Sequence, residues 1–412
     1  MTAETLPMKT HLQSIALNSC AVVRFAVVAA VLATAALMPA AHGARTSGVN
    51  SHSVERNYLY VASPSLARQL ERGGHGILVF DIDDGHKFVK RLPAAGLNSE
   101  TGLPLSLKGI VASAETNRLW VSSMQTLFSL DLTTGRLLWE KRYEGGCDRM
   151  AVSPDGKIIY LPTVEKDHWH IVDALTGDVI KALEVRSGAH NTIFSPTGRH
   201  VYLAGLQSPM LNIADARTHT LLKPVGPFSS VIRPFTINSA ETMCFVNVNG
   251  LLGFEVGDLR TGRMTHRVEV PDYKQGPVKR HKCPSHGVAL TPDETEVWVV
   301  DAHNQRVHIF DITGMTARTP PKMVASIRLE RDEPGWITFS IDGRYAYPSS
   351  GEVIDAKTRK IVTALVDEEG RAVMSEKMMQ IVFRDGRPVR TGDQFGIGRK
   401  STAGWPSSLA GQ

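Results

Sequence analysis

Two histidines, His190 and His286, stand at the same place in two repeats of one pattern, each just ahead of a short apolar run. Neutral imidazole ligates divalent metals and exchanges protons near neutral pH. Aligning the other repeats on these two brings Lys108, Asp148, Arg233 and Gly335 to the same position. All but Gly335 are ionisable, where strand packing alone asks for no charge. Arg149, Asn191 and Trp336 follow directly behind three of them. His303, on the turn "DAHNQ", faces the same side of its repeat.

Two His and an Asp can hold Zn, Cu or another divalent ion, so His190 and His286 are the metal candidates. The same groups could work as general acid and base. Arg233 suits an anion or a structural ion pair, and Trp336 could stack on a ligand or fill a hole. Polar filling of a wet channel is the alternative for the whole set. No catalytic residue is assigned. The chain has no Gly-x-Ser-x-Gly, no Walker Gly-Lys-Ser/Thr and no His-Glu-x-x-His. It has no Cys-x-x-Cys-His either, which excludes covalent haem of the c type. His168 and His170 in "DHWHIVD" share one face of a strand but lie away from the aligned positions.

The elements that position these residues recur along the chain. "MAVSPDGKIIYLP", "TIFSPTGRHVYLA", "FTINSAETMCFVN", "VALTPDETEVWVV" and "ITFSIDGRYAYPS" share one pattern, with "IVASAETNRLWVS" a weaker sixth. Each reads as a strand, a tight turn and an alternating second strand. Pro presets such a turn and Gly releases it. "LFSLDLTTGRLLWE" and "WHIVDALTGDVIKA" supply two more strands around an Asp and a Gly. The unit is therefore four antiparallel strands with a period of roughly 40–50 residues, that of a propeller blade.

"NYLYVAS" and "HGILVFDIDDGHKFVKRL" give a first unit that lacks an inner strand, and the apolar "KMMQIVF", Lys377 to Phe383, supplies it. The expected fold class is all-β: a seven-bladed β-propeller of four-stranded antiparallel blades, closed by a C-terminal strand, with six or eight blades the alternatives because the first and last units are irregular. Closure removes exposed strand edges. In such a ring the aligned positions, with Glu376 or Lys377 from the closing strand, form the rim of the central channel.

The "SPDG" turn, the aromatic-Val second strand ("LWVSS", "VWVVD") and the hydrophobic-Asp-x-x-x-Gly closure resemble YVTN-type β-propeller repeats of secreted bacterial proteins. The resemblance runs from about Asn57 to Phe383, and the literal Tyr-Val-Thr-Asn string is absent. It implies one of several roles, since related propellers include lactonases, lyases, partners of redox enzymes and surface proteins. The leading expectation is a binding or interaction protein that presents a polar channel mouth to a small ligand or a protein partner. A metal-assisted lyase or hydrolase using the His/Asp/Arg rim is one alternative, and an accessory subunit of a periplasmic redox enzyme is another. Whether the protein is an enzyme is left open, and the cofactor, if there is one, would be a divalent metal.

Three domains are expected: a signal peptide over 1–44, the propeller over 45–390 and a tail over 391–412. The apolar run "FAVVAAVLATAALM" follows a weakly basic lead and precedes small residues, the layout of a secretory signal peptide. It is short for a stable span, so a periplasmic or secreted protein without a membrane segment after cleavage is expected. The Gly-rich tail "TGDQFGIGRK" either folds over one face or, the leading expectation, frays. Cys147 and Cys283 lie in loops and could pair if the loop from Pro271 to Pro284 crosses the molecule, whereas Cys244 reads as a buried hydrophobe. Forty-six basic against 41 acidic residues give a formal charge of +5. The basic residues are scattered, with one short cluster at Lys279, Arg280 and Lys282, so no nucleic-acid partner is expected. A monomer is expected.

Overall fold

The computed structural model describes residues 53–278 and 281–400. The signal-peptide expectation therefore lies outside the described residues, as do Lys279, Arg280 and the end of the tail. Seven antiparallel sheets account for every named strand, and no described helix is long and apolar enough to cross a membrane.

Six sheets have four consecutive strands each. Blade two shows the plan: Leu107–Ser113 lines the channel, followed outward by Arg118–Ser123, Thr126–Asp131 and Leu137–Arg142. Burial falls from the second strand, almost wholly buried, to the outermost, mostly exposed or half-buried. This is why the second strands carry "LWVSS" and "VWVVD" while the outer ones tolerate Lys and Glu. Trp120, Trp169 and Trp298 are fully buried on three of these second and third strands. Two of them reach the next blade: Trp120 donates its indole N–H to the Ala174 carbonyl at 2.8 Å, and Trp169 donates to Thr192 Oγ1 at 2.8 Å. A buried indole satisfies its single donor while its ring fills the gap between blades.

The Asp-x-x-x-Gly closure is a capped turn. Asp131, Asp173, Asp215, Asp258 and Asp355 each accept backbone N–H groups two or three residues on through Oδ1. The residue four after the Asp is left-handed, at φ 72° for Gly135 and 77° for Gly177. His219 and Arg359 adopt the same conformation at φ 55° and 58°, so the Asx cap carries the turn even where the glycine is missing.

The first blade is closed from the far end of the chain, as expected. Met378–Arg384 runs antiparallel to Glu55–Ser63, from Glu55↔Arg384 to Val61↔Met378. Tyr60, Ile77, Ile110, Met379 and Ile381 share one apolar cluster, so closure also seals blade one against blade two.

The described tail folds over one face and does not fray. A fifth strand, Arg387–Thr391, pairs with Met378–Arg384 on its channel side. The chain then crosses the channel: Thr338 Oγ1 donates to the Asp393 carbonyl at 2.9 Å, Leu290 N to Gly396 O at 2.9 Å, and Gly398 N to Ile237 O at 3.0 Å. Phe395 is 2 % exposed. The boundary expected at 391 therefore falls inside the packed structure, and through Lys400 the tail is not frayed. Its glycines let the backbone lie directly on the inner strands of blades five and six.

Cys244 is buried as expected, and Cys147 and Cys283 are not paired. Cys147, Cys244 and Cys283 are all free and buried. Burial pushes the Cys244 and Cys283 thiols up to about 12, which keeps them unreactive.

Candidate functional site

The aligned positions do converge on one mouth of the channel, and local backbone irregularity is what turns them inward. Lys108 sits where the pairing of Leu107–Ser113 with Arg118–Ser123 slips by one residue. His190 is the extra residue between Ala189↔Gly205 and Asn191↔Ala204. Arg233 and Pro234 fall in the slip between Ile232↔Val248 and Phe235↔Val246. A β-bulge leaves its extra residue unpaired and re-aims the side chain. In blades three, six and seven the same place lies just ahead of a shortened inner strand, Ala151–Val152, Val288–Leu290 or Ile337–Phe339.

Asp148 is the centre of one group. His190 Nδ1 lies 2.6 Å from Asp148 Oδ2, and Lys108 Nζ lies 3.4 Å from Asp148 Oδ1. Asp148 is 1 % exposed. Burial by itself would raise its carboxyl, but His190, Lys108 and the His190 hydrogen bond hold it well below the usual carboxylate range. His190 is pushed below its ordinary 6.5 by burial, which outweighs the pull of Asp148. Near neutral pH the pair is therefore a carboxylate accepting from a neutral imidazole, and Lys108 supplies the balancing charge.

Glu376 is the centre of a second group. Its carboxylate receives Arg149 Nη2 and, at 3.1 Å, Lys377 Nζ. Lys377 Nζ also donates to Ser65 Oγ at 2.9 Å. The lysine is lowered to about 7, chiefly by burial, with Glu376 opposing the shift and Arg149 and Lys108 adding to it. His286 is fully enclosed between Gly335, Trp336 and His281. Its Nδ1 contacts the Gly335 carbonyl at 2.9 Å, so that nitrogen carries the proton and Nε2 keeps its lone pair. Burial, then His281, pushes it well below 6.5. His281, on the long loop after blade five, lies ring to ring with His286 at 4.4 Å. Donor atoms of His281, His286 and Glu376 lie within 4.8 Å of one another.

The expected set is thus divided. His190 and His286 do not share a partner: His190 belongs with Asp148 and Lys108, and His286 with His281 and Glu376. Arg233 donates to Asn249 Oδ1 at 2.6 Å, and Asn191 Nδ2 donates to the Arg233 carbonyl at 3.3 Å. Arg149 and Asn191 are bridged through the backbone. Trp336 is 3 % exposed and covered by the Arg149 guanidinium at 4.0 Å, so it fills the channel rather than offering a face. His303 packs against Gly276 of the long loop and has no contact with either group among the described residues. His168 and His170 lie 4.7 Å apart, with His170 Nε2 at 2.9 Å from the Glu144 carbonyl.

Sequence reasoning missed His281, Ser65 and Gln394. None occupies an aligned repeat position. His281 lies on the connection from blade five to blade six, Ser65 on the loop between two strands of blade one, and Gln394 in the tail.

The arrangement can hold a charged or strongly polar molecule. Lys108 faces Asp148, Arg149 and the amine of Lys377 face Glu376, and Arg233 adds a further cation held by Asn249. Arg149 Nε and Asn191 Oδ1 are buried and have no hydrogen-bond partner among the described residues.

No family model matches the chain, and no curated protein matches it. Among solved structures, a chain of the Kuenenia stuttgartiensis hydrazine synthase is similar at 16% identity and a TM-score of 0.42, over 66% of this chain and 100% of that one. A likeness that distant bears on no site residue. What the topology itself shows is a seven-bladed β-propeller of four-stranded antiparallel blades, closed by its C-terminal segment.

Proposed function

We propose that this is an exported binding protein built on YVTN-type repeats, which takes a small anionic molecule at the His190/Arg149 mouth. The observation that carries the reading is the excess of cationic over anionic side chains on one rim, together with the unpartnered Arg149 Nε donor. A carboxylate or phosphate would satisfy that donor and balance Lys108 and Arg233. Charge-assisted hydrogen bonds of this kind are roughly twice as strong as neutral ones. The outer side of the group is reachable, since the Lys108 side chain is 21% exposed.

The test is a thermal-shift and calorimetric titration of the mature protein with succinate, citrate and inorganic phosphate at low salt. Saturable stabilisation by at least one of them is expected, weakening as ionic strength rises. The double variant Lys108→Met with Arg233→Met should lose it while keeping the fold. No shift with any of the three, or an equal shift in the double variant, overturns the reading.

A divalent metal at His281, His286 and Glu376 is a second reading, favoured by the 4.8 Å grouping of their donors. The Nδ1–H of His286 on a carbonyl is the usual way an imidazole is oriented toward a metal. The cation would have to displace Arg149 and Lys377 from Glu376. Elemental analysis after dialysis against zinc, on wild type and His286→Ala, decides it: one equivalent lost in the variant supports a metal, and none in either excludes it.

A further inference from the structure

The tail divides the opposite end of the channel unequally. It crosses from blade one along blades seven, six and five, where its backbone is hydrogen-bonded to Thr338, Leu290 and Ile237. Toward blades two, three and four it leaves a cavity of about 640 Å³. Val111, Ala151 and Phe194 wall it from the blades, Met379 from the closing strand, and Val389 and Phe395 from the tail. This space is separate from the rim described above: none of the rim residues lines it, and Trp336 touches both Arg149 of the rim and the tail carbonyl of Gln394.

Besides Glu115, three charged groups at its edge are paired. Arg399 holds Asp393 at 2.6 Å, and Arg390 reaches Glu55 at 3.3 Å. The cavity therefore offers no free charge from these groups to an ion. It does hold one polar group without a partner. Gln394 is 1 % exposed and lines the cavity. Its Oε1 accepts the Ile110 N–H at 3.4 Å, which fixes the orientation of the amide. Its Nε2 then has no acceptor among the described residues. An unmade buried donor is costly, and apolar walls left facing water gain free energy when an apolar body covers them.

We propose that this tail-walled cavity binds a neutral, largely apolar small molecule that carries a carbonyl or similar acceptor for Gln394 Nε2. The volume lies within the range of small-molecule sites, and such sites are mostly apolar with a few placed polar groups. An apolar body fills the space between Val111, Phe194 and Phe395, and the acceptor satisfies the amide. The C-terminal segment thereby builds a second binding site in addition to closing the ring.

The probe is Prodan, a naphthalene ketone whose emission shifts to the blue on leaving water. Titrated into the mature protein, it should bind saturably with one site per chain. Val111→Trp, which fills the cavity from blade two, should weaken binding at least tenfold with unchanged circular dichroism. Val152→Trp, from blade three, serves the same purpose if the first variant folds poorly. Gln394→Met keeps the bulk and removes the donor, and should weaken Prodan roughly threefold to tenfold, the worth of one hydrogen bond. Binding that does not saturate, or that is equal in wild type and a folded filling variant, overturns the site. Equal affinity in Gln394→Met overturns the assignment of the acceptor.

Discussion

The Arg149 guanidinium lies 4.0 Å above the Trp336 indole, and the N–H at the edge of that ring is taken by the Gln394 carbonyl at 2.5 Å. One residue from blade three, one from blade seven and one from the tail thus form a partition across the channel. It separates a charged mouth from an apolar one. A desolvated cation over the best aromatic acceptor contributes about 2 kcal/mol. The partition also explains why Arg149 can be buried: Glu376 takes one nitrogen while the ring covers the guanidinium face.

Replacing the hub of the first charged group should be costly. Asp148→Ala leaves Lys108 and His190 without their carboxylate and should destabilise the protein by about 3–5 kcal/mol, the usual result of breaking a buried pair from one side. Urea denaturation of wild type and variant measures this. A loss under 1 kcal/mol would mean the group is solvated and contributes little.

Lys377 gives stability a pH dependence above neutrality. Its folded value of about 7 lies below the ordinary 10.5. Between these the unfolded chain binds the extra proton, so this group's contribution rises with pH from about 7 to about 10.5, and its full cost is present below 7. Lys377→Met should flatten that slope in urea titrations at several pH values, and an unchanged slope would contradict the burial of the amine. On the acid side His190 and His286, both lowered by burial, act in the same direction. Stability should fall as pH drops below 6.5, where only the unfolded imidazoles take up protons.

Two truncations separate closing the ring from filling the channel. A stop after Arg384 keeps Met378–Arg384 but removes the tail, and should yield a monomer with a lower Tm because Trp336, Thr338 and Leu290 lose their partners. A stop before Met378 exposes the edge of Glu55–Ser63 and should aggregate. Size-exclusion chromatography and thermal melting distinguish them. Equal behaviour of the two would mean the inner strand is not what closes the ring.

Export is checked directly on the mature chain. Cleavage after the small residues that follow Met38 should give an N-terminus near Ala44 or Arg45 on sequencing. A chain that keeps Phe25 and fractionates with membranes would contradict it.

The amino-acid sequence alone determined the repeat, its four-strand unit and the closing strand, while the count of seven was decided by the structure, because the first and last units are irregular in sequence. Those properties are local: period-two alternation, an Asx-capped turn and Pro-Asp-Gly chemistry act within a few residues and recur. The rim was legible too, because alignment of repeats carries a position around the ring. The grouping of the rim residues was decided by tertiary structure. Which of them meet depends on bulges at Lys108, His190 and Arg233, and a one-residue slip leaves no mark in composition. His281 reaches His286 only because the long loop after blade five folds back over the mouth. Gln394 reaches Trp336 only because a Gly-rich tail finds backbone partners on three other blades. Contacts of that kind join segments far apart in the chain, where no spacing rule connects them.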